Sequence, residues 1–258
     1  MQNNRPIGIF DSGIGGTSIW REIHSLLPNE KTIYLADSRN APYGQKSKEE
    51  IIALSIKNTD FLLHQNCKLI VVACNTATTN AIKELRQKYD VPFIGIEPAI
   101  KPAATNSKTQ TIGILATQGT LTSELFYKTT QKFKNTKIVE QVGHGLVQLI
   151  ENGEIESAEM TQLLHSYLQH MISANIDYLV LGCSHYPYLI PQIRKILPNH
   201  IHIIDSGEAV AKQTKNILEN TIGFSTALDK EPVFYTNTNP MVLKEIIGKE
   251  YHVLEKDF

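Results

Sequence analysis

The sequence carries no charge excess of either sign. Its Lys and Arg residues number 25 and its Asp and Glu residues 26, a formal net charge of −1. A nucleic-acid binder shows a basic surplus or a basic stripe. The lysines here are scattered, so no nucleic-acid partner is expected. No run of about 18 or more apolar residues occurs, which excludes a spanning helix and leaves no membrane partner. The opening "MQNNRPIGIF" lacks the long apolar stretch of a signal peptide, so a cytoplasmic location is expected. Cysteine is scarce, with three residues, Cys67, Cys74 and Cys183, in 258. Three do not make a disulfide framework. They also lack the tight C-x-x-C type of spacing that a metal site wants, so no metal is expected. G-K-[ST] and G-x-G-x-x-G are missing too, so "FDSGIGGTS" makes no recognised phosphate loop.

What is present is a regular alternation. A chain of this length makes one large domain or two of about 100–150 residues each. Either size buries a sound core. "IGIF" (7–10), "TIYLAD" (32–37), "KLIVVA" (68–73) and "PFIGI" (92–96) read as strands. Residues 16–27, 48–65 and 76–88 read as helices, with Ile51, Ile52, Ser55, Ile56, Thr59, Leu62 and Leu63 near helical spacing. After residue 110 the pattern resumes. "TIGILA" (111–116), "TKIVEQV" (136–142), "DYLVLG" (177–182) and "HIHIID" (200–205) are strand-like, and 119–133, 157–174, 187–196 and 207–221 helix-like. Residues 98–110, which lose their apolar face toward the end, read as a link. The tail reads as strand, helix and strand, returning to the first unit. Continuous apolar strands between helices mean parallel sheets covered on both faces. The expected fold class is α/β, with two pseudo-symmetric domains, each a mostly parallel sheet flanked by helices. The first takes 1–97 plus 207–258 and the second 98–206. The active site is expected in the cleft between them.

In open α/β sheets ligands bind beyond the carboxyl ends of strands. Those ends present Asp11 and Ser12, then "APYGQ" past Asp37, then Cys74, Asn75 and Thr76. The second unit adds Thr117, Thr120, Cys183, Ser184 and His185. "KLIVVACNTAT" and "DYLVLGCSHYP" hold equivalent places, as the third strand of each unit. A free cysteine is most often a small buried hydrophobe, and Cys67 takes that reading. Cys74 and Cys183 each close a strand just before a helix, where N–H groups and the helix dipole favour a thiolate. A cysteine hydrolase needs one such thiol, and a disulfide oxidoreductase needs two, usually in C-x-x-C. Racemisation of an α-carbon needs two bases on opposite faces, and a tuned thiol can give or take a proton. A binding protein whose lobes close on an amino acid would need neither. Asp11 reads as a cap of the next helix, or as a cleft residue serving Cys74 or a substrate ammonium. Asp205 and Ser206 of "IIDSGEA" read as caps. An α-carbanion also needs charge stabilisation. Pyridoxal phosphate would supply it through a Schiff base, but these strand ends present no lysine. Hydroxyl and amide donors aimed at the substrate carboxylate remain, with water excluded by closure of the two domains.

Six segments in order, "IGIFDSGIGG", "ADSRNAPYGQKS", "VVACNTATTNA", "GIEPA", "LGCSHYPYL" and "IIDSGEA", span nearly the whole chain. In them it resembles the glutamate racemases of the aspartate/glutamate racemase superfamily. The resemblance implies an isomerase that needs no cofactor and interconverts L- and D-glutamate, the D form feeding peptidoglycan synthesis. It implies that Cys74 acts on the D-enantiomer and Cys183 on the L-enantiomer. Asp11 would support Cys74 and His185 would support Cys183, with Glu151 as a further catalytic carboxylate. Substrate contacts carry over to Asp11, Ser12, Tyr43, Gly44, Asn75, Thr76, Ser184 and His185, and Thr117 and Thr120 match a loop that meets a substrate carboxylate. A homodimer is implied. A sister racemase acting on aspartate is the alternative. This sequence departs from the family pattern at Ser184, where Thr is usual, at Tyr188, where Leu is usual, and in "VGHGLVQ", which replaces a segment with Cys-Pro.

Overall fold

A computed structural model describes residues 3–258. The chain runs β1 (Ile7–Asp11), α1 (Thr17–Leu26), β2 (Thr32–Ala36), α2 (Lys48–His64), β3 (Leu69–Val72), α3 (Asn75–Lys88), β4 (Phe93–Gly95) and α4 (Ile100–Asn106). It continues through β5 (Thr111–Ala116), α5 (Gln118–Leu121), α6 (Glu124–Thr130), β6 (Lys137–Val142), α7 (Leu146–Glu151), α8 (Ala158–Ser173), β7 (Tyr178–Gly182), α9 (Ile190–Ile196) and β8 (His202–Ile204). Then come α10 (Gly207–Ile217), β9 (Val233–Thr236), α11 (Met241–Ile247) and β10 (Val253–Glu255).

Two parallel sheets result, ordered β10-β9-β2-β1-β3-β4 and β6-β5-β7-β8. The first four strands of each half therefore repeat one order, second-first-third-fourth. In that order the connections leave the first strand in opposite directions, to the second strand on one side and the third on the other. This reversal opens a crevice beyond the carboxyl ends of the first and third strands. In one half those ends carry Asp11 and Cys74. In the other they carry Thr117 and Cys183.

The central strands are buried on both faces, and their side chains alternate between two environments. Ile7, Ile9, Tyr34, Leu69 and Val71 enter one apolar cluster, while Phe10, Ile33, Leu35, Ile70 and Val72 enter another. The first cluster also takes Leu115, Leu179 and Leu181 from the second sheet and Trp20 and Ile23 from α1. The two sheets thus share a core on one face. Helix starts obey their caps. Ser47 and Glu50 form a reciprocal capping box at α2, and Ser157 accepts the Met160 N–H at α8. The tail returns as expected: β9 pairs with β2, and β10 with β9.

Four local features differ from the sequence reading. The link 98–110 contains α4, with Ile100 and Ala103 buried. Pro102 is tolerated there, since it sits in the first helical turn, where its missing N–H costs nothing. The expected helix over 119–133 breaks into α5 and α6, because Ser123 caps a fresh start by accepting the Phe126 N–H at 3.2 Å. α7 is a helix that the sequence reading did not contain. Finally, Asp205 caps α10 by accepting the Gly207 N–H at 2.8 Å, but Ser206 does not. Its hydroxyl donates to the Glu97 carbonyl instead.

Candidate functional site

Cys74 stands between β3 and α3 as the N-cap of α3 and is 4% exposed. Its sulfur accepts the Ala77 N–H at 3.4 Å, and its S–H donates to Ser12 Oγ at 3.7 Å. The helix N-terminus does reach the thiol, yet the balance opposes the expectation of a favoured thiolate. Burial, and next the charge of Asp11, push the Cys74 thiol well above its ordinary range despite the Ala77 and Ser12 hydrogen bonds. Cys183 comes after β7 and is also buried, but no α-helix starts there. A tight turn over 186–189 comes next, and the partner of Cys183 Sγ is His185 Nδ1 at 3.8 Å. The matched helix-terminus setting expected for both cysteines therefore holds for Cys74 alone. Cys67 lies in the core, where burial pushes its thiol up to about 12.

Asp11 is fully buried and does two things. Its Oδ2 accepts the N–H groups of Gly13 at 3.1 Å and Gly16 at 3.0 Å, which shapes the turn into α1. Its Oδ1 accepts the Ser184 hydroxyl at 3.0 Å, across from the other sheet. Burial raises the Asp11 carboxyl pKa, with the positive charge of His185 and the Gly16 N–H opposing it. His185 shows the reverse balance. Burial works against its charge, but hydrogen bonds to Cys183 and Glu151 and the charges of Asp11 and Cys183 hold it well above the ordinary imidazole value. Its Nε2 lies 2.5 Å from Glu151 Oε1.

Glu151 ends α7, which starts after Gly145 at φ 81 and buries Leu146, Val147, Leu149 and Ile150. Glu151 Oε1 also accepts the Ile14 N–H at 2.7 Å, and Oε2 the Ser38 hydroxyl at 2.8 Å. The glycines of "FDSGIGGTS" have a steric use here. A Cβ on Gly13 would fall 1.9 Å from Glu151 Oε1, and one on Gly15 2.2 Å from His185 Nδ1.

These groups surround a narrow cleft, lined by Ser12, Tyr43, Gly44, Asn75, Thr76, Thr117, Ser184 and His185 with both cysteines, Pro42 and Val147. As it stands the cleft has room for about one water molecule, so a substrate of several heavy atoms enters only when its walls part. Asn75 is 2% exposed, and neither its Nδ2 nor its Oδ1 has a partner among the described residues. An unpaired buried amide costs about 1–3 kcal/mol, and a polar ligand would relieve that cost. Thr117 and Thr76 hydroxyls meet at 2.8 Å. Thr120 is not among the lining residues. It sits behind Thr117, 3.1 Å away hydroxyl to hydroxyl. The Tyr43 hydroxyl is likewise committed elsewhere, donating to Asp37 Oδ2 at 2.5 Å and accepting from Asn58 at 3.0 Å.

Sequence reasoning left out Ser38, Asn58 and Asn237, and gave Asp37 no role. Asn237 lies just past β9 and donates to Asp37 Oδ1 at 2.6 Å, so the returning tail braces the Tyr43 turn. The signal for Asn58 was a polar residue on the buried stripe of α2. Nothing local marks Ser38 or Asn237.

The pKa directions give a testable sign. The folded-state pKa of His185 lies above its unfolded value near 6.5. The stability it contributes is complete below that pH and is lost as pH rises through the folded value. Glu151→Gln removes a carboxylate partner and brings the folded value down. Urea midpoints should show the variant weaker by about 1–3 kcal/mol near pH 6, with the gap to the parent narrowing as pH rises. A gap that stays constant to pH 9 would refute this coupling.

A family model described as "Asp/Glu/Hydantoin racemase" matches residues 7–214. A protein of Ralstonia pickettii described as glutamate racemase is 48% identical over 208 residues, covering 80% of this chain and 74% of that protein. The Escherichia coli glutamate racemase structure, in complex with L-glutamate and activator UDP-MurNAc-ala, superposes with a TM-score of 0.88 at 31% identity, covering 97% of each chain. The Francisella tularensis glutamate racemase in complex with D-glutamate gives a TM-score of 0.85 at 30% identity, covering 98% of each chain.

Proposed function

This chain belongs to the Asp/Glu/hydantoin racemase family and racemises glutamate, and we propose that it does so with two thiol bases, Cys74 and Cys183, on opposite faces of the α-carbon. The observation that carries this reading is that both cysteines line one small cavity together with Asn75, whose buried amide is unpaired among the described residues.

From D-glutamate, the Cys74 thiolate takes the α-proton, and the C–H electron pair moves into the substrate carboxylate. The Cys183 S–H then delivers its proton to the opposite face. L-glutamate leaves with Cys74 as thiol and Cys183 as thiolate, and proton exchange through their neighbours resets the pair. L-glutamate runs the same steps in reverse. No cofactor enters the scheme. The α-proton of an amino acid is a very weak acid, so a base of high proton affinity is needed, and burial gives the Cys74 thiolate that affinity. Ser12 and Asp11 serve Cys74. His185, held by Glu151, exchanges protons with Cys183. Asn75, Thr76, Thr117 and Ser184 donate to carboxylate charge as it develops, with Thr120 supporting Thr117 from behind. Tyr43 and Gly44 shape the wall and meet the substrate through ring and backbone.

The proposal extends to the units and setting. Residues 1–97 plus 207–258 and residues 98–206 act as two lobes that close on glutamate. Two copies form a homodimer in the cytoplasm, and the D-glutamate supplies peptidoglycan synthesis. None of the helices of the described residues is long and apolar enough to cross a membrane.

The test is a proton NMR time course in deuterated water with D- or L-glutamate and no added cofactor. Appearance of the opposite enantiomer with deuterium at the α-carbon is expected from both sides. Inversion with the α-proton retained through many turnovers, or inversion only with an added carbonyl cofactor, would overturn the scheme.

A further inference from the structure

The hydroxyl of Tyr188 lies 2.5 Å from Thr17 Oγ1. Thr17 has one hydroxyl proton, and it points to the Ile14 carbonyl at 2.6 Å. A carbonyl only accepts, so Thr17 is the donor there and Tyr188 must donate to Thr17. The N–H of the same Ile14 residue donates to Glu151 Oε1, the oxygen that also holds His185 Nε2. Tyr188 itself belongs to the turn of Cys183 and His185, its N–H donating to the His185 carbonyl at 3.2 Å. A second tie runs parallel, from the Ser18 hydroxyl to the Ser184 carbonyl at 2.9 Å. The Arg21 guanidinium covers the Tyr188 ring at 5.7 Å, closing that side of the contact.

These bonds form a ring. It starts at the 183–188 turn of the second sheet and crosses to α1 through Tyr188 and Thr17. It then passes through Ile14 to Glu151 and returns to His185. We propose that Tyr188 is a positioning residue for the Cys183 half of the reaction: its hydroxyl clamps the Cys183–His185 turn against the Ile14–Glu151 support and sets where His185 meets Cys183. This rests on the two-base reading of the reaction. Among the described residues Tyr188 makes no hydrogen bond to either cysteine, so its hydroxyl acts through His185.

The two enantiomers have equal free energy, so any variant lowers kcat/KM equally in both directions. Total rate therefore cannot identify which half is damaged. The ratio of α-proton exchange without inversion to inversion can, because it compares two fates of one carbanion. It is also independent of the fraction of protein that is folded.

The experiment measures this ratio in deuterated water for the parent, Tyr188→Phe, Thr17→Ser and Cys183→Ala, starting from each enantiomer. Loss of one hydrogen bond supports a change of about threefold to tenfold. Tyr188→Phe should raise exchange over inversion by that factor from D-glutamate, where Cys183 must deliver the proton, and should not raise it from L-glutamate. Thr17→Ser keeps the acceptor and should return the ratio to the parent side. An equal change from both enantiomers, or none, while Cys183→Ala gives the one-sided pattern, would overturn the role of Tyr188 and leave the two-base reading standing. If Cys183→Ala itself lacks the one-sided pattern, the two-base reading fails, and this inference fails with it.

Discussion

Cys74→Ala and Cys183→Ala are each expected to lower racemisation by about 10²–10⁴-fold, the contribution of one positioned proton-transfer group. The two losses should look alike in kcat/KM and differ in what survives. Cys74→Ala keeps the base that faces L-glutamate, so in deuterated water it should exchange the α-proton of L-glutamate without making D-glutamate. Cys183→Ala should show the mirror pattern with D-glutamate. Substitution should cost little else, since Cys→Ala removes a single sulfur atom at a strand end, at the border of each apolar cluster and the polar cleft. The surviving half-reaction depends on the surviving neighbours. For Cys183 they are His185 at 3.8 Å and, behind it, Glu151. For Cys74 they are Ser12 at 3.7 Å and the Ala77 N–H. Circular dichroism with proton NMR of both single variants checks the prediction. Racemisation within tenfold of the parent in either variant would rule out two obligatory thiol bases. Exchange of the opposite enantiomer would reverse the assignment of faces.

The two thiols differ in a way that one local pattern could not have revealed. "VVACNTATTN" and "LVLGCSHYPYL" look alike as sequence: an apolar strand, a cysteine, then small polar residues. The residues C-terminal to each cysteine separate them. Asn75 begins a helix of regular spacing, whereas Pro187 and the aromatic pair Tyr186 and Tyr188 make a tight turn before α9. The strands were legible because their residues are buried on both faces and have little freedom of type. The strand-end residues were legible because a parallel sheet places its site there whatever the loops do. The supports were not. Ile14 meets Glu151 across 137 positions, and Asn237 meets Asp37 across 200. Such contacts leave no periodicity behind. α7 is six residues long, shorter than the window over which helical spacing stands out. Its Gly145 at positive φ, with two adjacent pairs of apolar residues after it, was the available sign. Thr120 shows the other limit. Its type and position suit a substrate contact, and only packing reveals that it stands behind Thr117.

The opening glycines, which sequence alone leaves as a turn, carry the second large effect. Gly15→Ala is expected to lower kcat/KM by about 10²-fold, the scale of a displacement near 1 Å at reacting groups. Gly15 is not among the glycines with positive φ, so alanine meets no conformational strain there. The obstacle is a single side chain. The added Cβ would stand 2.2 Å from His185 Nδ1, 2.4 Å from Cγ and 2.6 Å from Cε1. No Cβ tolerates such contacts, so the imidazole must move or the loop must. The imidazole is held on its far side by Glu151 at 2.5 Å, and the loop by Asp11 through the Gly13 and Gly16 N–H groups and by Glu151 through the Ile14 N–H. Three hydrogen bonds to carboxylates fix the loop, whereas the ring has one to a carboxylate and two long ones, to Ser184 at 3.5 Å and Cys183 at 3.8 Å, so His185 should yield and part from Cys183 Sγ. The stability cost is about 1–3 kcal/mol, as for an overpacked site. The activity loss is then larger than unfolding explains, and it falls on the Cys183 half. Exchange without inversion should rise from D-glutamate, as in Cys183→Ala, while thermal melting shows a folded protein. Activity within threefold of the parent would mean that the ring has room the structure does not show, and equal damage to both halves would mean that the loop moved instead and took Asp11 with it.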